Sequence, residues 1–397
     1  MSNKTARADT SYIVDWQRVP TLSCIICCSP RTGSSLLSYA LEDSGQAGCP
    51  IEYFSPMGEA SSAGKWGLPA HYSLGNYLRS IAAETMTDNG AIATKLFIPH
   101  LTHLLYRARA EFTPGLSENE VMEGCFPHPR YVYLRRNDRV RQAISFMRAM
   151  NTKEFERTQA DANSRPGAAA DFDPDPARIR SYVEAFAKQE REWQDFFERN
   201  QITADEVEYE DLANDYQGTV LRVLDSFGIT PPSKLRLPPP RTVRQSDDVT
   251  ERIVARYAEY EERVEAGTTP NHTVRESKFS TPAEVIHDID RRLKQGVSWL
   301  ASVTATCLFE LTGDNGGSFH IAVCDGTGNA GPGSAENADA TFCMPTDTFM
   351  EMRSGTDDDK IIAFINGDVT TYGDQTLASA LVPLWFGDED LAGPGGK

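Results

Sequence analysis

The chain has 397 residues, 40% of them hydrophobic, and a formal net charge of −18. This length exceeds that of one typical domain, and the negative charge argues against nucleic acid and anionic membranes as partners. The first residues are polar, and the eight cysteines form no spaced disulfide framework. With no apolar run of about 18 residues to span a bilayer, we expect a cytoplasmic protein without stable membrane insertion.

The first predicted element is a strand over 22–28, and it leads into the loop 29–35, which reads SPRTGSS. A helical pattern follows, so the order is strand, tight loop, helix. Gly33 lets the backbone approach a ligand closely, and the free N–H groups of the helix point back into the loop. Arg31 and the two serines after Gly33 add further donors. The loop therefore predicts an anion-binding cradle, although an ordinary helix-capping turn is the alternative.

This loop lacks the Gly-Lys pair of a Walker A motif, which disfavours ATP or GTP hydrolysis. A second strand and helix are predicted over 131–134 and after Asn137 or Asp138. Arg136 stands at the end of that strand and Ser145 on the helix that follows. Ligands bind at this edge of open α/β sheets, so the pair predicts a second phosphate site. The alternative is a solvated arginine with Ser145 in the core.

The intervening and following segments complete the first domain. Residues 57–90 are rich in Gly, Ser and Ala and predict loops and a helix, while 156–176 has the composition of a mobile loop or lid. The other elements predicted here are a helix at 177–199, a strand at 207–212, a helix at 216–228 and a helix at 246–262.

The pattern of apolar residues changes near residue 282, after a polar, charged linker. Short helical and alternating apolar runs predict an α+β domain. Its predicted strands are 302–311, 318–324, 339–344 and 361–371, and its predicted helices are 283–296, 346–353 and 374–386.

The two anion-binding segments together resemble the sulfotransferase superfamily, most closely the bacterial trehalose-type sulfotransferases. Further matching pieces occur in the family's order, and they are IEYF at 51–54, TKLF at 94–97, YEDL at 209–212 and VRQSD at 243–247. The match covers about residues 18 to 262. It implies 3′-phosphoadenylyl sulfate (PAPS) as the sulfonyl donor, with its 5′-phosphosulfate held by Arg31, Thr32, Gly33, Ser34 and Ser35. It also implies that Arg136 and Ser145 hold the 3′-phosphate.

The resemblance also implies catalytic roles, and no metal is required by them. Glu52 matches the base that takes the acceptor proton, while Lys95 and Arg31 match the cations that neutralise developing charge. A late cofactor-contacting segment corresponds to Arg244 and Gln245. The residues themselves leave a solvated loop carboxylate, an exposed strand-end lysine and a surface arginine as alternatives for Glu52, Lys95 and Arg244.

One departure concerns the base. Cytosolic sulfotransferases of animals carry a His two residues after a strand lysine, and here that position is Phe97. His100 is the nearest replacement for such a base. The difference favours the bacterial type, whose base is a glutamate.

The C-terminal part resembles sterol carrier protein type 2 lipid-transfer domains. The resemblance depends on GSAENADA at 333–340, on 346–355 and on 367–374. In that family a sheet and helices enclose an apolar tunnel for lipids. A purely structural or interaction role is the alternative, because an apolar tunnel and an ordinary core look alike in sequence.

The combined prediction is an α/β sulfotransferase domain with a P-loop-like parallel sheet at 18–265, a linker at 266–281, and a smaller α+β sterol-carrier-like domain at 282–390. The resemblance implies sulfonyl transfer from PAPS to an acceptor hydroxyl, with adenosine 3′,5′-bisphosphate as product. The fused domain suggests a lipophilic alcohol or glycolipid as acceptor, and trehalose-type relatives suggest a homodimer. The alternatives are a non-catalytic lipid carrier with a degenerate sulfotransferase domain and a nucleotide phosphotransferase.

Overall fold

The computed structural model describes residues 13–69, 71–156, 172–242, 248–267, 278–335 and 337–386. The chain forms two compact units, Met1–Ala266 and Gly267–Lys397. Most of the predicted lid at 156–176 and of the predicted linker at 266–281 lies outside the described residues.

The first unit is built on a parallel sheet of four strands. They are β1 (Leu22–Cys28), β2 (Ala91–Leu96), β3 (Pro129–Arg135) and β4 (Asp205–Glu208), in the order β2-β1-β3-β4. The carboxyl ends of parallel strands meet at one edge, so the segments after β1, β2 and β3 converge there. This sheet confirms the predicted α/β class.

Nine helices of the described chain accompany this sheet. They are α1 (Ser34–Ser44), α2 (Pro56–Lys65), α3 (Leu74–Thr85), α4 (Ile98–Glu111), α5 (Glu118–Cys125), α6 (Arg139–Thr152), α7 (Pro176–Arg199), α8 (Tyr209–Asn214) and α9 (Tyr216–Ser226). A further helix, α10 (Asp248–Glu265), is the last described helix of this unit along the chain. The prediction of a strand over 207–212 is wrong after Glu208, where α8 begins at Tyr209. Glu210 and Asp211 lie in the first turn of α8, where carboxylates stabilise a helix by interacting with its positive end.

The central strand β1 is covered on both faces. Ile25 and Cys27 join a core with Trp193, while Cys24, Ile26 and Cys28 join the core on the other face, as the twofold alternation of a strand requires. The Trp193 indole donates to the Cys28 carbonyl at 3.0 Å and so secures the strand end before the loop. All eight cysteines are free, and burial raises the pKa of the Cys24, Cys27 and Cys28 thiols.

The second unit contains a mixed five-stranded sheet in the order β7-β6-β5-β8-β9. Its strands are β5 (Thr304–Thr312), β6 (Gly317–Cys324), β7 (Thr327–Pro332), β8 (Ala340–Pro345) and β9 (Thr370–Gly373), and its helices are α11 (Pro282–Gln295), α12 (Thr346–Ser354), α13 (Asp357–Ile365) and α14 (Gln375–Phe386). Strands β5 and β8 are parallel, and the other pairs are antiparallel. Trp385 lies fully buried among Phe309, Phe342 and Phe349 in its core.

The strand predicted at 361–371 is wrong over most of its length. Residues up to Ile365 belong to α13, which starts with a capping box between Thr356 and Asp359, and only β9 at its end is extended. Strand β7 was not predicted, because its sequence TGNAGP has no apolar alternation. None of the helices in the described ranges is long and apolar enough to cross a membrane.

Candidate active site

The loop after β1 has a tight turn at Gly33, as its sequence predicts. Gly33 is the N-cap of α1 with φ 80° and ψ 18°, a left-handed conformation that favours glycine. A Cβ atom on Gly33 would lie 2.5 Å from Cδ2 of Tyr209, so the tyrosine ring at the start of α8 packs directly on the loop backbone. Glycine at this position is required by both conformation and space.

Arg31 joins the two predicted anion-binding segments. Its Nε donates to Ser145 Oγ at 3.0 Å, and Nη1 of Arg136 donates to the Arg31 carbonyl at 3.3 Å. The Arg136 guanidinium lies 4.6 Å from the centre of the Tyr209 ring, which is a cation–π contact. Burial, and then the neighbouring Arg136, lower the pKa of Arg31, so like charges are held close together here.

These residues border a cavity of about 300 Å³. Its described lining residues include Arg31, Gly33, Ser34, Ser35, Arg136, Arg141, Ser145, Arg148, Phe155, Glu156 and Tyr209. Arg141 makes ion pairs with Asp138 and Glu251, which are not among these residues. Among the described residues that line the cavity, four are arginines and one, Glu156, carries a carboxylate. Positive side chains therefore outnumber negative ones around it.

The predicted catalytic pair is an ion pair. Lys95 Nζ lies 3.0 Å from Glu52 Oε1; the lysine side chain is 6% exposed and the glutamate side chain 35%. The Lys95 amide also donates to the Ile51 carbonyl at 2.9 Å, which ties the segment carrying Glu52 to strand β2. Lys95 is therefore held in place, while Glu52 remains accessible from solvent.

The ion pair lies next to the loop after β1. Burial raises the pKa of the Cys28 thiol to about 12, Lys95 opposes this rise, and Glu52 adds to it. The side chains of Ser34 and Thr32 also act to lower this pKa. Strands β1 and β2 are neighbours in the parallel sheet, with Ile26 opposite Lys95, so the ion pair and the loop after β1 lie at the same edge of the sheet.

The remaining predicted site residues lie in different surroundings. Thr32 is buried and its hydroxyl donates to the Ser29 carbonyl at 2.9 Å, within the loop. His100 accepts a hydrogen bond from the Phe97 amide at 3.3 Å, and burial, followed by Lys95, lowers its pKa to about 3. Such a weak base is poorly suited to accept a hydroxyl proton at neutral pH. Arg244 and Gln245 lie outside the described residues.

Several lining residues were not assigned a role from the sequence, among them Arg148, Tyr209 and Glu156. Arg148 is 8% exposed and follows Ser145 by one helical turn, so the spacing of α6 could have identified it. Tyr209 lies in the matching YEDL segment, but only the structure shows its contact with Gly33. No signal in the sequence pointed to Glu156.

A buried cluster of charged side chains links α2, which follows the Glu52 segment, to α4, which follows β2. The Glu59 carboxylate, on α2, accepts from Tyr72 OH at 3.0 Å, lies 3.0 Å from His103 Nε2, and pairs with Arg107 of α4. Burial acts to raise the pKa of Glu59, but the His103 and Arg107 contacts outweigh it, so this pKa is lowered. These contacts join α2 and Tyr72 to α4.

The first unit is thus an α/β fold with a glycine-containing loop and an arginine-lined cavity at the carboxyl edge of its parallel sheet. The Stf0 sulphotransferase family model matches residues 23–260, so this chain belongs to that family. The SCP-2 sterol transfer family model matches residues 287–385. Both resemblances predicted from the sequence are confirmed.

The chain is also similar to several individual proteins. The chain is 25% identical over 264 residues to trehalose 2-sulfotransferase of Mycolicibacterium smegmatis, covering 59% of this chain and 93% of that protein. A sulfotransferase structure from Alicyclobacillus acidocaldarius is 15% identical, covers 64% of this chain and 98% of that one, and has a TM-score of 0.30. The sterol carrier protein domain 2 of Helicoverpa armigera is 21% identical, covers 28% and 92%, and has a TM-score of 0.23.

Proposed function

We propose that this sulfotransferase moves a sulfonyl group from PAPS to the hydroxyl of a lipophilic alcohol or glycolipid. The observation that carries the proposal is the cavity in which arginines from the two predicted anion-binding segments meet. Guanidinium groups form strong, paired hydrogen bonds with phosphate oxygens, so a nucleotide with phosphate groups at both its 5′ and 3′ positions fits this group of arginines.

The donor groups fit such a nucleotide. Gly33 leaves the loop backbone open, and the serines at the start of α1 present hydroxyls beside the positive end of the helix. Arg31 and Arg136 offer planar guanidinium groups, which match phosphate oxygens in pairs. A cavity of about 300 Å³ is also at the lower end of the size range for small-molecule sites.

The chemistry we propose uses the Glu52–Lys95 pair. The Glu52 carboxylate takes the acceptor proton while the acceptor oxygen forms a bond to sulfur. The sulfur–oxygen bond to the 5′-phosphate breaks, and its electron pair leaves on the bisphosphate. As Glu52 becomes neutral, its attraction to Lys95 falls, so the buried ammonium can stabilise charge developing on the sulfonate. Arg31 would neutralise the leaving phosphate.

The second unit motivates the choice of acceptor. A unit matched by the SCP-2 sterol transfer family could present or store an apolar acceptor in the same polypeptide. We further expect a cytoplasmic homodimer that acts without a metal and without nucleic acid. A lipid carrier with an inactive first unit would not turn over PAPS, and a phosphotransferase would depend on Mg²⁺.

Binding of adenosine 3′,5′-bisphosphate tests the first part of the proposal. Bisphosphate at a hundred times its Kd should stabilise the protein by about 2.7 kcal/mol, and ATP should stabilise it less. Arg136→Ala should weaken binding about tenfold or more, since hydrogen bonds to charged groups contribute about 1.5–3 kcal/mol. Arg222→Ala, which changes an exposed arginine paired with Asp211, is the matched control. Absence of any bisphosphate effect would reject PAPS as the donor.

Transfer itself is tested with ³⁵S-labelled PAPS and a total lipid extract, in EDTA. The wild type should label an organic-phase product. Glu52→Gln keeps a hydrogen-bonding partner for Lys95 and should keep bisphosphate binding, but it should lose labelling. Unchanged labelling by Glu52→Gln would remove Glu52 as the base, and labelling that requires Mg²⁺ would favour the phosphotransferase.

A further inference from the structure

Glu156 places a carboxylate inside the cavity, and the proposed chemistry does not use it. Its Oε1 accepts from Ser35 Oγ at 2.6 Å, and its Oε2 accepts from Tyr39 OH at 2.5 Å. Both donors project from α1, one helical turn apart. The carboxylate therefore lies against the first turns of the helix that forms the anion cradle.

The neighbouring backbone makes a second contact with the cradle. Nη1 of Arg31 donates to the carbonyl of Phe155, the residue before Glu156. The charge of Glu156 also raises the pKa of Arg31, against the larger lowering effect of burial. A carboxylate with hydroxyl donors, a nearby guanidinium and a helix N-terminus has the surroundings that a bound phosphate would have.

A nucleotide and Glu156 cannot use these donors together. The Ser35 hydroxyl has a single hydrogen to donate, and in the present structure it donates to Glu156. A phosphate group in the cradle would also be repelled by the carboxylate, since like charges destabilise each other at short range. An anion that accepts a hydrogen bond from Ser35 therefore displaces the Glu156 carboxylate from this hydroxyl.

We propose that Glu156 is an internal anion that competes with the nucleotide for the cradle and so lowers the affinity for PAPS and for the bisphosphate product. This inference rests on the proposed function, because it assumes that a nucleotide phosphate uses Ser35. When product leaves, the carboxylate returns to Ser35 and Tyr39, which keeps these donors satisfied. The competition weakens product retention, a step that limits turnover in many enzymes.

Calorimetric titration of the full-length protein with adenosine 3′,5′-bisphosphate tests the proposal. Glu156→Gln removes the charge at nearly constant size and should tighten binding about fivefold, or about 1 kcal/mol, as expected for an exposed charge interaction. Tyr39→Phe removes one donor to Glu156 and should tighten binding by a smaller factor. The control is Glu154→Gln, which changes a nearby exposed glutamate whose amide donates to Thr152 Oγ1 at 3.2 Å, and it should leave the affinity unchanged.

Two results would overturn the inference. Weaker binding by Glu156→Gln would mean that the carboxylate helps to hold the nucleotide, and an affinity equal to that of Glu154→Gln would mean that it does not compete. A parallel titration with pyrophosphate keeps the two proposals separable. If the wild type fails to bind bisphosphate, the proposed function fails, and pyrophosphate affinity that rises in Glu156→Gln still supports the competition, whereas unchanged or lower affinity rejects it.

Discussion

Replacement of Gly33 by alanine tests the packing of the loop against Tyr209. The left-handed backbone at φ 80° should cost about 1–2 kcal/mol for a residue with a Cβ. The new Cβ would also lie 2.5 Å from Tyr209 Cδ2 and 3.1 Å from Cε2, and such overpacking costs about 1–3 kcal/mol. We therefore expect a total loss of about 2–5 kcal/mol in the free energy of unfolding of the first unit.

The chain contains a matched control for the backbone contribution. Gly45 follows the last residue of α1 with φ 65°, and apart from its chain neighbours no described atom lies within 4 Å of a Cβ built on it. Gly45→Ala should therefore cost only the backbone strain, about 1–2 kcal/mol. In a Tyr209→Ala background the cost of Gly33→Ala should fall to the same value, because the clashing ring is gone.

Hydrogen exchange measured by mass spectrometry across a urea series is the suitable assay, because it reads the two units separately. Peptides from the second unit provide an internal reference that should not change. Equal costs for Gly33→Ala and Gly45→Ala, or a cost at Gly33 that Tyr209→Ala does not reduce, would refute the proposed contact.

Two further predictions concern buried ionisable groups, namely His100 and the Glu59–Arg107 pair. The folded-state pKa of His100 is lowered from 6.5 to about 3, so below pH 6.5 the unfolded chain binds the extra proton and stability falls as the pH falls toward 3. His100→Asn should reduce this slope by up to about 1.4 kcal/mol per pH unit, measured by urea unfolding at pH 6.5 and 4.5; an unchanged slope would contradict the assignment. Arg107→Met should leave the buried Glu59 carboxylate without its main cation and cost about 3 kcal/mol. By contrast, Arg109→Met on the same helix, which loses a bond to the Leu116 carbonyl, should cost about 1 kcal/mol, and equal losses would contradict a special role of the cluster.

The elements that the sequence predicted best are those with a clear apolar period. Strand β1 and helix α1 flank a loop whose glycine and serines are typical of a strand-to-helix turn, and the structure has all three in order. The failures occur where periodicity is weak or misleading. The apolar residues of α13 resemble a strand when read from residue 361, but the capping box at Thr356 and Asp359 starts a helix before them.

Site geometry was harder to predict than secondary structure. The Glu52–Lys95 ion pair joins residues from a loop and from β2, and only the family resemblance pointed to both. The contact of Tyr209 with Gly33 depends on where β4 ends and on how α8 turns back to the loop, which no local pattern encodes. The Glu156 carboxylate reaches the cradle across 121 positions of sequence, a separation at which spacing carries no information.

The buried thiols of β1 have a practical consequence for labelling. Cys24, Cys27 and Cys28 are inaccessible and stay protonated at neutral pH, whereas Cys324 on β6 is exposed. Because thiolate is the form that reacts with maleimides and iodoacetamides, a brief treatment near pH 7 should modify Cys324 before the others. A fluorophore or spin label can thus be attached to the second unit of the unaltered protein while the strand beneath the anion cradle stays unmodified.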